Sequence, residues 1–429
     1  MNRPPKKHHF VTQAQLRHFA ADPKRRSIFV FDKRSGESFL TSILNAGSEN
    51  DFNTVTFDGG EWKFEHLFGE VDARSARLIG EIVERRSVAW LEAEDRVALA
   101  DLFATQLLRT HFSRTTPKHL AGQLRDIIRE IGYDPDQDPA MAMPSEAALR
   151  LSAARIFLER GDHVASLLRL VPTLFAPSGR ARLVLSDHPV SRTNAFAYGD
   201  TGLASHGIMV ALPIAPDLLL NLLCPTIVAR YEAIDKAQID PDRHARMLRV
   251  RDAFRDGLSA EMDDEAVAGQ NRQQLAQSSR FLYGAADDFD WARETLAKRA
   301  ELRKVDSHIE LGEMGRGPLP KTGMPKGLHL VVQGPHDHCM LPLAEIDEAG
   351  EGITARTMRP ELLALVAADS GMLSVELYED GQVTRGMREA MVETFGDSGA
   401  GWFRAVHRDE AMRALSVHID AERAEPAGG

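Results

Sequence analysis

An α+β fold, largely helical with a small central sheet and followed by a C-terminal α+β appendage, is what this sequence predicts. Apolar residues recur at helical spacing through most of the first half. Near the middle, short apolar runs end at proline, as buried strands leading into loops do. Further on, GEMGRGPLPKTGMPKG (312–327) holds five glycines and three prolines, a composition that suits neither a helix nor a central strand. It divides the chain into a domain over 1–311, a linker over 312–327 and an appendage over 328–429.

Taken in order, strands are expected over 28–31 and 39–43, joined by a turn at Ser35-Gly36. Helices follow over 64–86, where Leu67, Val71, Leu78 and Ile82 share a face, and over 92–112, where Val97, Ala100, Phe103, Ala104 and Leu107 do. More helix is expected over 117–131 and, after the turn-rich break YDPDQDPAMAMP, over 145–170. ARLVLSDHPV (181–190) and GIMVALPIAP (207–216) read as strands of one sheet. Helices return over 241–255, 265–284 and 288–304. Beyond the linker, LHLVVQGPHDHCMLPLAEI and MLSVELYEDGQVTRG read as hairpins, the second turning at Glu379-Asp380-Gly381, with helices over 384–396 and 408–420.

The chain has 429 residues, enough for two or three units, and a globular composition of 43% hydrophobic and 27% charged residues. No apolar run approaches the length that spans a bilayer, and MNRPPKKHHF has no apolar stretch behind its charges, so a cytoplasmic protein that does not engage a membrane is expected. Cys224 and Cys339 are the only cysteines, which excludes a disulfide framework and a multi-thiolate zinc site. A net charge of -11 argues against coating nucleic acid, although a basic patch including Lys6, Lys7, Arg17, Lys24, Arg25, Arg26, Lys33 and Arg34 lies near the N-terminus.

HHFVTQAQLRHFA, ATQLLRT, LSDHPV, ALPIAPDLLL and NRQQLAQSSRFLYG together resemble the bacterial domain-of-unknown-function family numbered 4238, over roughly 6–285. That family opens with His-His-x-Val-Pro-Gln and carries a later Ser-Asp-x-Pro. Here Thr12 replaces the proline, Ala14 and Gln15 replace an aromatic pair, Leu185 stands for a threonine, and Asp72 stands where a glutamate is expected. The resemblance supplies no activity, so chemistry must come from the residues.

His8 and His9 are adjacent in an extended segment and project to opposite faces, so one enters a site and the other packs outside it. Asp187 precedes His188-Pro189 at a strand end, where it is either a site carboxylate or the acceptor of a turn. Gln106 and Arg109 lie one helical turn apart; the guanidinium fork suits a phosphate or carboxylate, with an internal ion pair as the alternative. Asn271 and Arg280 face opposite ways on an unbroken helix, and Asn271 with Gln274 also fits a helix cap. His336 and His338 have metal-compatible spacing without a third ligand nearby, and the Gly-x-Gly at 315–317 precedes no helix.

These residues lead to the expectation of a hydrolase, a nuclease or phosphoesterase, acting on an anionic small molecule or a nucleic acid. His8 or His9 would meet Gln13 and Asp187 over the sheet, and Gln106, Arg109, Asn271 and Arg280 would bind substrate. The histidine would act as general base or as ligand to a divalent metal, the cofactor and oligomeric state being left open. The competing expectation is a non-catalytic binding or sensor module in which the same polar residues are caps and ion pairs.

Overall fold

The structure, a computed structural model, describes residues 7–57, 60–63, 65–130, 132–195, 201–205, 207–232, 234, 241–304 and 327, together with six strands beyond. The chain forms two compact units: Met1–Thr193, Met209–Asp235 and Ile239–Glu310 make the first, and Asn194–Ile208, Lys236–Gln238 and Leu311–Gly429 the second. Both helices and strands are abundant in the first unit, and the fold is α+β.

In chain order the first part comprises β1 (Lys7–His9), α1 (Gln13–His18), β2 (Ser27–Asp32), β3 (Glu37–Ser42), β4 (Ser48–Asn50), β5 (Thr54–Phe57), β6 (Gly60–Lys63), α2 (Glu65–Arg85), α3 (Ala93–Leu108), α4 (His111–Glu130), α5 (Glu146–Leu158) and α6 (Gly161–Leu168). Then come β7 (Val171–Pro177), β8 (Leu185–Ser186), β9 (Ser191–Asn194), β10 (Ile208–Ala215), β11 (Leu218–Leu223), α7 (Pro225–Glu232), α8 (Pro241–Asp256), β12 (Ser259–Met262), α9 (Asp264–Gln277), β13 (Phe281–Gly284) and α10 (Asp290–Lys298).

Besides the two-stranded pairs β1-β4 and β5-β6, the strands of this part form two larger sheets, with orders β3-β2-β13-β8 and β12-β7-β11-β10-β9. The two apolar runs expected to share a sheet therefore part: β8 pairs with β13, whereas β10 pairs with β11. β8 is a two-residue edge strand, with β13 as its partner, that ends where Asp187 accepts the amides leading into β13. The β2–β3 turn falls where Ser35-Gly36 suggested, with Gly36 at φ +81, a conformation that glycine adopts freely. One core cluster gathers Phe31, Val184, Leu275, Leu282, Phe289, Ala292 and Leu296, which presses α9 and α10 onto the four-stranded sheet.

Several helical expectations change: the single helix expected over 145–170 is split after Leu158 into α5 and α6, and the one expected over 288–304 ends at Lys298. The break between the second and third helices comes at Arg109-Thr110, earlier than expected, and α4 continues back through Pro117 to His111. The stretch 265–284 is not one helix: α9 stops at Gln277 and β13 follows, because the amides of residues 279–281 bond to Asp187 rather than to the preceding turn. Asn271 lies within α9, whose cap is Asp263, so the Asn271–Gln274 cap does not form.

In the second unit, β14 (Leu328–Gln333), β15 (His338–Asp347), β16 (Ile353–Thr357), β17 (Leu373–Glu379), β18 (Gln382–Phe395) and β19 (Trp402–His407) close a barrel of order β14-β15-β16-β19-β18-β17. Both expected hairpins are present, the second with Glu379 opposite Gln382. The expected helix over 384–396 is instead β18, since pairing with both β17 and β19 overrides the helical propensity of its Met, Ala, Arg and Glu residues. His336, the linker residues 312–326 and the expected helix over 408–420 lie outside the described residues.

Candidate functional site

The N-terminal segment is a strand because β1 pairs with β4, His8 opposite Glu49 and His9 opposite Ser48. Alternation sends the histidines to different partners. His8 is 1% exposed, and its Nδ1 accepts the Asn53 amide at 2.8 Å. His9 is held below the usual imidazole pKa by burial and then by the Arg109 charge, against a backbone hydrogen bond with Leu44, and its Nε2 has no hydrogen-bond partner among the described residues. Phe10 and Val11 donate their amides to the Gly47 carbonyl at 2.9 and 3.2 Å. A Cβ on Gly47 (φ +59) would stand 3.1 Å from the Val11 carbonyl, so this approach needs glycine.

Gln106 and Arg109 grip the same segment. The Phe10 carbonyl accepts from Gln106 Nε2 at 2.7 Å and Arg109 Nε at 3.3 Å, while Arg109 Nη1 pairs with Asp72 at 2.7 Å. The ion pair is thus the alternative that Arg109 adopts, with its side chain 1% exposed. Gln13 accepts from Arg17 on the exposed face of α1.

Asp187 is 2% exposed and accepts three backbone amides: Ser279 at 2.7 Å on Oδ1, and Arg280 and Phe281 at 2.8 and 2.9 Å on Oδ2. Burial raises its pKa, and the three amides and the Lys33 charge oppose that rise. Lys33, itself buried, donates to the Leu275 and Ser278 carbonyls at the end of α9, where helical carbonyls lack partners; burial pushes its pKa down to about 8. The polar face of α9 holds the segment leading to and past Asp187. Asn271 bridges the Val184 amide and the Arg182 carbonyl, Gln274 joins Ser186 Oγ to the Pro189 carbonyl, and Gln277 donates to the His188 carbonyl. Asn271 and Asp187 both serve this local architecture.

Around this framework lies a cavity of about 800 Å³. Arg34, Arg280, Arg303 and Lys304 supply cations along its lining, and Glu49 and Asp187 supply carboxylates. Arg280 reaches it from the start of β13, with Nε and Nη2 bonded to Asp32 Oδ2 at 2.9 and 2.6 Å. His111 opens α4; its ring meets those of Phe10 and Phe52 at 5.2 and 4.6 Å, and its Nε2 lies 2.7 Å from Glu49 Oε2.

Of the eight residues singled out from sequence, Asp187 and Arg280 line this cavity. Among the described residues, His8, His9 and Gln13 are not among the groups hydrogen-bonded to the Asp187 carboxylate. Gln106 and Arg109 do not line the cavity themselves but hold one residue that does, Phe10, through its carbonyl. Sequence reasoning missed His111 and Glu49, which come together across a separation of 62 residues with no motif to announce them. Arg34 and the Arg303-Lys304 end of a charged helix were visible only as charge. Among the described residues, no three His, Cys, Asp or Glu side chains stand together as a metal-binding group.

An α+β domain with a basic cavity, lined in part by Phe10 just after the N-terminal strand, is the class these features define. The chain belongs to the family described as a protein of unknown function (DUF4238), whose model matches residues 7–288. That span holds β1, the α9 clamp and most of the cavity lining. No curated protein and no solved structure matches the chain.

Proposed function

We propose that this domain binds a phosphate-bearing anion in the large cavity and hydrolyses it, as a phosphoesterase or nuclease does. One observation carries the reading: four cationic side chains, of which Arg280 is already paired with Asp32, line a space of about 800 Å³ in a protein of net charge -11, and one of the two lining carboxylates, Asp187, has both oxygens occupied by backbone amides. Arg forks and a lysine placed around such a space suit phosphate oxygens. The acid–base group in this reading is the His111–Glu49 pair. Glu49 fixes the ring through Nε2, which leaves Nδ1 to take a proton from an attacking water. No metal-dependent step is included. Among the described residues, no helix is long and apolar enough to cross a membrane, and a content of two cysteines fits the reducing cytoplasm that completes the proposal.

A second reading, a sensor that binds the anion without cleaving it, is favoured by the structural engagement of Asp187, Gln106, Arg109 and Asn271. One experiment separates the two. The full-length protein is tested on a panel of phosphomonoesters, phosphodiesters and short oligonucleotides, with binding followed in parallel. In the hydrolase reading, His111→Gln lowers turnover at least about 100-fold while binding persists. Binding by the wild type with no turnover on any substrate leaves the sensor in place, and neither binding nor turnover removes both readings.

A further inference from the structure

A second, small cavity of about 30 Å³ is lined by Arg109, Arg114 and Arg150 together with Phe68 and Phe157, and shares no lining residue with the large one. We propose that it is a binding site for one small oxyanion group, a phosphate or carboxylate, held by these three arginines. The inference does not depend on the proposed hydrolase activity.

The argument begins with donors that have nothing to donate to. Arg109 is 1% exposed at its side chain; Nε and Nη1 are engaged by the Phe10 carbonyl and Asp72, and Nη2 has no partner among the described residues. Arg114 gives Nη1 to the Phe52 carbonyl at 2.6 Å and lies over the Phe52 ring at 3.5 Å, yet its buried Nε is also unpartnered. Arg150 joins them from the exposed side of α5. Native interiors rarely leave such donors unmatched, because a buried N–H without an acceptor bears its full desolvation cost.

Charge points the same way. Asp72 is the one carboxylate bonded to any of the three among the described residues. Burial, followed by the Arg150 charge, pushes Arg114 down to about 10, against weaker help from Glu49 and Glu146. A guanidinium stays charged at neutral pH all the same, so the cluster holds buried positive charge in excess. An oxyanion supplies at least two acceptor oxygens and a negative charge together. The space exceeds the roughly 10–15 Å³ that one water needs, but it does not admit a ring system.

The test uses the full-length protein and compares sodium phosphate and sodium acetate with sodium chloride at equal ionic strength, by unfolding midpoint and by calorimetric titration. Phosphate or acetate should raise the midpoint in a saturable way that chloride does not reproduce. Arg150→Gln, at an exposed position with no ion pair among the described residues, should fold normally and weaken the anion by at least about tenfold. Arg114→Gln should abolish the component of the response that persists in Arg303→Gln, the variant in which the large cavity has lost one of its own cations. A mononucleotide that displaces phosphate shows that the group can arrive on a larger molecule; one that does not restricts the site to free ions, and both results agree with the arginine cradle. Identical curves in all three salts, as for a space filled by water, overturn the proposal. So does a response that survives Arg150→Gln and disappears in Arg303→Gln, which would assign the anion to the large cavity.

Discussion

Asp187 shows how a residue type suited to chemistry can be used for architecture. Its carboxylate terminates α9 and starts β13 by accepting three successive amides, and both oxygens are occupied in doing so. Asn keeps one acceptor and turns an NH2 toward amides that also donate, so Asp187→Asn should be poorly tolerated even though it is nearly isosteric. Hydrogen bonds to a charged acceptor contribute about 1.5–3 kcal/mol each, and removing a buried charge returns part of that, for a net loss of about 2–4 kcal/mol. Denaturant unfolding measures it directly. A variant as stable as the wild type but without turnover would make Asp187 a reacting group after all. The dipeptide Asp-His before proline announced a rigid carboxylate at a strand end, and that much was legible. Which groups it would meet was not, because its three donors lie more than ninety residues further along the chain.

Elements were legible where one face decides them. The amphipathic α2 follows from spacing, as does the β2–β3 hairpin, whereas α3 is buried on nearly every side over Ala98–Leu107, and Val97, expected on its apolar face, is exposed. What the pattern could not reveal was each place where one element stops to hold another. Phe281 and Leu282 prolong the apolar pattern of α9, and only the Asp187 contact ends the helix. At the end of α3, Arg109 and Thr110 leave the helix to hold Phe10 and His188. His188 is the joint between α4 and α9: Nδ1 lies 2.7 Å from Thr110 Oγ1, the ring stacks on Phe112 at 4.5 Å, and its carbonyl accepts from Gln277. Burial, and then the Arg192 charge, hold its pKa down to about 3 against an ordinary 6.5. Above pH 6.5 neither the folded nor the unfolded state protonates it, and its contribution to stability is complete. Between 6.5 and 3 the unfolded chain binds the proton and the folded one does not, so stability falls as pH falls, by up to about 1.4 kcal/mol per unit. His9, His18 and His163 are shifted in the same direction, so the wild type alone cannot isolate the effect. His188→Gln should therefore lose about 2 kcal/mol less than the wild type between pH 7.5 and 5 in denaturant titrations. Parallel pH profiles for the two proteins would show that His188 does not carry this sensitivity.

At the scale of the whole molecule, the local and global charges oppose each other, and under the proposed anion-binding function this decides what size of ligand the large cavity would favour. The chain as a whole carries -11, whereas Arg34, Arg280, Arg303 and Lys304 gather at one cavity. A long polyanion gains affinity from each further phosphate that meets a cation, and here a phosphate outside the cavity meets a surface of net negative charge. Affinity should therefore stop rising once a ligand fills the cavity: a single-stranded 20-mer should bind no more tightly than a short oligonucleotide of a few residues. Salt dependence should be correspondingly shallow. Four phosphate contacts to a single strand give a slope of about -3 in log affinity against log salt, or a loss of about 50-fold between 50 and 200 mM. Fluorescence anisotropy with labelled oligonucleotides of graded length, at those two salt concentrations, measures both quantities. Affinity that keeps climbing with length, or a slope much steeper than four contacts allow, would place the binding surface outside the cavity and restore the basic N-terminal patch as the principal interface.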